Sequence, residues 1–190
     1  MRRGFKEAAK HLALEVRQEI GVDAFAPLDP LDLASEYGIP VYPLSELGGF
    51  GCSDAALSYF ADEDTATFSA ALVPVGTGRI IIDNDDHAPT RRRSSVAHEM
   101  SHVLLEHQFN AAILGPDGCR AVPKDIEDEA EWFAGELLIT FTAAVVLARR
   151  GASDVEVAQR YGVSPRRAGM RMNASGARTI VSRQQGRRRA

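Results

Sequence analysis

The chain has 190 residues, 45% of them hydrophobic, and a formal net charge of −4; this suits one compact domain, or one plus a small appendage, and excludes a disordered or fibrous chain. Its longest nearly apolar run, LLITFTAAVVLA at 137–148, is well short of the roughly 20 residues that span a bilayer as a helix. The charge is unevenly divided, with nine Arg against two acids in residues 151–190 and 13 basic against 24 acidic residues in 1–150.

Taken in chain order, MRRGF is followed by KEAAKHLALEVRQEI, an amphipathic charged pattern rather than the apolar core of a leader, so the expected location is cytoplasmic. Phe5, Ala8, Ala9, Leu12, Val16 and Ile20 recur at helical spacing, and Gly21 supplies a stop. Asp29 as N-cap, Pro30 at the first helical position and Gly38 at the end frame a short second helix. IPVY at 39–42 reads as a strand. Cys52 and Cys119 are far apart with no CxxC, as expected of two reduced thiols. AALSYFA, TATFSAALV and RIII, separated by the turns ADEDT and PVGTG, predict a small antiparallel sheet between 52 and 82. DNDDHAPT at 83–90 is loop, and a helix should run from about Arg92 to Phe109. A further helix covers IEDEAEWFAGELL at 126–138, with Ile126, Ala130, Phe133 and Leu137 as its core stripe. Ser153 caps one late helix, Gly162 and Val163 turn the chain, and Ser164 with Pro165 opens a second. RQQGRRRA reads as a solvated, mobile tail. The predicted organisation is a domain over 1–150, helix-turn-helix-like C-terminal helices over 151–175 packed on it, and a basic disordered tail over 176–190.

Chemistry concentrates at AHEMSHVLLEH. With side chains turning about 100° per residue, Val96, Ala97, Met100, Val103, Leu104 and His107 share the core side of the helix. His98 and His102 fall on the other side, about 6 Å apart along the axis, within reach of one ion. Glu99 lies beside them. Two neutral imidazoles can hold a Lewis acid that lowers the pKa of a bound water toward about 7, and a neighbouring carboxylate takes the proton as that water attacks a carbonyl.

A catalytic site of this kind takes three protein ligands and keeps one position open. His107 turns about 140° from His102 on a continuing helix and reads as a structural core histidine. Leu105 and Gln108 stand where a metzincin needs Gly and His. Glu106 lies a further turn along. The donor is therefore expected in the 126–138 helix. Taking Phe133 as the inward direction, Glu127, Asp128 and Glu131 point outward as solvated charges, whereas Glu129 lies about 40° from Phe133, where a bare carboxylate needs a partner. Glu136 is the second candidate, as an outer partner to a histidine.

TRRRSSVAHEMSHVLLEH followed by EDEAEWFAGELLIT resembles the ImmA/IrrE family of metallopeptidases, whose members carry an Arg-rich lead into HExxH and later an E-x-E-A-N-x-F-A-x-x-L-L segment. The likeness extends over most of residues 5–175. It implies an α+β, zincin-like fold, His98, His102 and Glu129 as metal ligands, Glu99 as general base, and Zn2+ or Mn2+ as the ion. It also implies site-specific cleavage of a helix-turn-helix (XRE-type) repressor encoded nearby, as an anti-repressor of a mobile element or of a stress or toxin–antitoxin operon. Two positions depart from the pattern: Glu131 replaces the usual Asn, and Thr140 replaces the usual Pro.

The edge of the small sheet, taken as RIII at 79–82, is expected to pair with an extended substrate. Arg91 to Arg93, Tyr161 and His87 are candidates for stabilising the oxyanion. Two other readings compete. Arg166, Arg167 and Arg171 on the late helix pair offer phosphate-binding charge for a DNA-binding regulator. A metal-holding scaffold that sequesters the repressor is the other, and a purely structural site would have no need of Glu99.

Overall fold

The computed structural model describes residues 1–61, 68–107 and 123–189. Helix α1, Phe5–Glu19, ends at Gly21, whose φ of 69° is the left-handed conformation that glycine adopts without strain. Helix α2, Pro30–Glu36, starts as its sequence demands, with the Asp29 carboxylate accepting from Leu31 N–H at 2.9 Å. Strand β1, Val41–Pro43, leads into a short 3-10 helix over Leu44–Phe50.

Residues 55–61, expected as a strand, lie in helix α3, Asp54–Ala61. The local reason is legible afterwards: Ser53 Oγ accepts from Ala56 N–H, and Asp54 opens the first turn, a helix start ahead of a run containing Ala and Leu. Strands β2, Ala70–Val75, and β3, Gly78–Asp83, form an antiparallel hairpin, while β1 runs parallel to β3. The sheet is thus mixed rather than purely antiparallel. Its order is β1-β3-β2, with Ile81 of β3 opposite both Val41 and Leu72 and fully buried. RIII is therefore the central strand and cannot accept a substrate strand at an edge. The outer strand on the hairpin side is β2.

Helix α4, Pro89–Leu104, begins earlier and ends sooner than expected; Phe109 lies outside the described residues, as does Cys119. The arginines that precede its working half mount it. Arg92 donates to the buried Asp83 at the end of β3 at 2.6 Å, and Arg93 reaches Asp29 at 2.7 Å and Leu28 O at 2.5 Å. Helix α5, Lys124–Leu138, packs against α4 on one side and α1 on another. Arg17 of α1, 1% exposed, donates to Leu137 O at 2.5 Å and to the carbonyls of Asp23 and Ala26, which locks α1 and the following turn onto the end of α5.

Helices α6, Phe141–Arg149, α7, Asp154–Tyr161, α8, Pro165–Ala174, and α9, Ala177–Arg189, complete the chain. Ser153 and Glu156 form a reciprocal capping box at α7, and Ser164 caps α8. Residues 177–189, within the stretch expected as a basic disordered tail, are helical, with Ala177 and Val181 buried. One apolar cluster joins Phe5, Leu33, Leu72, Ile81, Val96, Met100 and Phe133; a second joins Ala97, Ala134 and Leu138 to Tyr161, Met172 and Ala177. Helices α4 and α5 belong to both clusters, and burial of their Leu, Met and Phe side chains contributes about 1.5–3 kcal/mol each. No single described helix is long and apolar enough to cross a membrane.

Candidate metal centre

The site forms where α4 and α5 cross. Val96, Ala97 and Met100 are buried against the core as their periodicity requires, which leaves His98 and His102 on the side facing α5. Their Nε2 atoms lie 3.2 Å apart. Between them reaches Glu127, with one oxygen 3.1 Å from His98 Nε2 and the other 3.5 Å from His102 Nε2. One ligand atom from each of these three residues lies within 4.8 Å of the others, a spacing that fits a single ion held by two nitrogens and an oxygen. His98, His102 and Glu127 thus suit zinc, and the same donor set suits manganese.

Glu129, expected as the third ligand, is turned away from this group. It is 3% exposed and lies on the opposite side of α5, where Arg2 donates to it from the backbone N–H at 2.7 Å, from Nε at 3.0 Å and from the guanidinium end at 2.7 Å. The physical reason is that α5 is buried on two sides. Phe133 marks the side that packs into the α1 and sheet core, whereas Glu127 and Glu131, one turn apart, mark the side that meets α4. A carboxylate directed toward the core needs a partner, and Glu129 pairs with Arg2.

The outer contacts of the histidines are equally specific. Glu131, which stands where the family pattern has Asn, places a carboxylate oxygen 3.7 Å from His98 Nδ1 and is itself paired with Arg167. His102 Nδ1 lies 2.9 Å from Nδ1 of His107. Burial pulls His98 down, but its hydrogen bond to the Glu127 carboxylate and the nearby Glu131 carboxylate outweigh it and raise the imidazolium to about 9 in the metal-free protein. The bond to His98 holds the Glu127 carboxyl below its ordinary range. Burial would raise Glu129, and Arg2 overrides it in the lowering direction. His107 is pushed down, chiefly by burial.

Glu99 lies one residue from His98, with Oε2 accepting from the backbone N–H of Leu72 at 3.0 Å. Glu99 is therefore fixed to β2, an outer strand of the sheet. A cavity of about 220 Å³ opens beside Glu131, lined by Trp132, Met170, Ala174 and Arg167.

The remaining candidates are placed elsewhere. Glu136 touches no histidine; it accepts from Phe141 N–H at the start of α6 and from Arg171. Arg91 donates to Ser69, Arg92 and Arg93 are the mounting pairs already described, and Tyr161 OH, on a buried ring, donates to Phe25 O. His87 belongs to the turn before α4, where its N–H donates to Asn84 O. Of the three arginines read as DNA contacts, Arg171 is 4% exposed and Arg167 pairs with Glu131, so α8 uses both to hold itself on α5, and Arg166 alone stays exposed.

Two histidines one turn apart on a helix, a glutamate next to the first of them in the sequence and a third donor from a following helix are the core of a zincin-like metallopeptidase, here in an α+β domain. Residues 34–173 match the family model of the IrrE N-terminal-like domain, peptidase family M78, and the chain belongs to that family of metallopeptidases. No curated protein matches the chain.

Proposed function

We propose that the protein is a cytoplasmic zinc-dependent endopeptidase that cleaves a helix-turn-helix (XRE-type) repressor encoded nearby, and so acts as an anti-repressor of a mobile element or of a stress or toxin–antitoxin operon. The observation that carries the reading is the convergence of His98, His102 and Glu127 beside Glu99, itself tied to β2. When bound, zinc supplies the Lewis acidity that activates water and polarises a scissile carbonyl.

The chain's own groups do the rest. His98, His102 and Glu127 hold the ion. Glu99 accepts the proton of the attacking water on its carboxylate and returns it to the leaving amine, with Leu72 N–H fixing Oε2 in place. An extended substrate segment added to β2 would pass over this carboxylate, so main-chain pairing and proton transfer share one strand. The acidic balance of residues 1–150 complements a basic DNA-binding substrate and favours encounter. The resemblance to ImmA/IrrE proteins supplies the choice of substrate class.

The test is Glu99→Gln. It should keep zinc and lose cleavage of the neighbouring repressor, with removal of general-base assistance alone worth about 10²–10⁴-fold in rate. If wild type and Glu99→Gln lower repressor function equally, the protein works by sequestration and the peptidase reading fails.

A further inference from the structure

The metal reading of His102 fixes the proton on a second histidine. Nε2 of His102 faces His98 and Glu127, so to offer a lone pair there the neutral ring must carry its proton on Nδ1. That Nδ1–H is 2.9 Å from Nδ1 of His107, which must then be the acceptor, leaving the His107 proton on its own Nε2. Among the described residues His107 Nε2 is buried with no hydrogen-bond partner, and the Oε2 of Glu129 stands 3.9 Å away. Glu129 in turn is gripped by Arg2 from three nitrogens.

The backbone explains how a residue beyond the helix comes to face one inside it. Helix α4 ends with Glu106 in the left-handed conformation, φ 53°, with Glu106 N–H bonded to Val103 O and His107 N–H to His102 O, both at 3.0 Å. This is the Schellman pattern, which brings the second residue past the cap against the residue near the end of the helix. The contact is ordinarily apolar. Here it is made by two imidazoles with ring centres 5.0 Å apart.

We propose that His107 is a positioning residue for the metal centre: with the Glu129–Arg2 pair beside its Nε2, it accepts from His102 Nδ1–H and holds that ring in the tautomer that presents Nε2 to the ion. The inference rests on the metal site proposed above. A histidine present for its shape alone would fill the same volume without regard to its nitrogens. The arrangement instead gives His102 the outer partner that metal-bound histidines use to fix ring orientation and raise basicity, with a charged pair behind it.

The experiment measures zinc affinity by competition with a chromophoric chelator, together with the cobalt(II) absorption spectrum, for the full chain and for His107→Phe, His107→Gln and Glu129→Gln. His107→Phe should bind zinc about 10–100-fold more weakly and alter the cobalt spectrum. His107→Gln, whose side-chain carbonyl can accept in place of Nδ1, should recover most of the affinity, and Glu129→Gln should show a smaller loss. Zinc binding by a folded His107→Phe within about twofold of wild type, with an unchanged spectrum, overturns the proposal. Should His107→Phe not fold, imidazole 15N resonances of the zinc-loaded wild type decide: a proton on His107 Nε2 upholds it, and a proton on Nδ1 overturns it. A wild type that binds no zinc is a different result, and sinks the metal site itself.

Discussion

Glu106 is the one non-glycine residue with positive φ among the described residues, and replacing it with glycine tests the chain reversal that sets His107 against His102. An L-residue in the left-handed region costs about 1–2 kcal/mol because Cβ crowds the following carbonyl. Glycine removes that crowding but adds about 0.4–1 kcal/mol of freedom to the unfolded chain. The net expectation for Glu106→Gly is a gain of about 0.5–1 kcal/mol. For a chain of this size that corresponds to a rise of roughly 1–4 °C in Tm. The assay is a thermal melt of the metal-free full chain beside Glu106→Ala, which keeps the Cβ and should show no such gain. Zinc affinity should stay at the wild-type value, because the two hydrogen bonds that close the helix are backbone bonds. A lower Tm for Glu106→Gly, or an equal rise in Glu106→Ala, would refute the assignment of strain to this turn.

Two more outcomes follow from other parts of the structure. His98 is raised to about 9 without metal, so its proton stabilises the metal-free fold fully below the ordinary value of about 6.5, and that contribution is lost as pH rises through about 9. Zinc must displace this proton, so affinity should climb about tenfold per pH unit from 7 toward 9 and then level off; a flat profile in chelator competition contradicts the pairing of His98 with Glu127 and Glu131. Thr140, where the family pattern has Pro, accepts from Ala143 N–H at 3.0 Å and donates to Ala24 O at 2.9 Å, so Thr140→Ala should lose about 1–2 kcal/mol in urea unfolding while Thr140→Ser keeps most of it.

The helices whose ends carry their own chemistry were legible in the sequence. Asp29 with Pro30, Gly21 and the Ser153 and Ser164 caps each mark a boundary that local hydrogen bonding enforces. So was the separation of His98 and His102 from Val96 and Met100, because one face of α4 packs into a core. The position of Glu127, the third donor proposed here, was not, because a single inward direction does not exist for a helix buried on two sides: centring on Phe133 selects Glu129, and centring on the α4 contact selects Glu127. His107 escaped for a different reason. Continuing the helical wheel past Leu104 turns it away from His102, and a glutamate in the left-handed position carries none of the signal that a glycine would. The run at 54–61 offered Ser53 and Asp54 as a helix start, which outweighs its aromatic content. The Asn-to-Glu departure at 131, read from the helical wheel as a solvated charge, supplies a carboxylate to the back of His98 and a partner for Arg167.

The central claim is that His98, His102 and Glu127 together hold the ion, and metal content of purified Glu127→Gln and Glu129→Gln against wild type tests it most directly. Wild type should retain about one zinc per chain, Glu127→Gln should lose it, and Glu129→Gln should keep it with weakened affinity. Zinc retained at full affinity by Glu127→Gln and lost by Glu129→Gln would contradict the account.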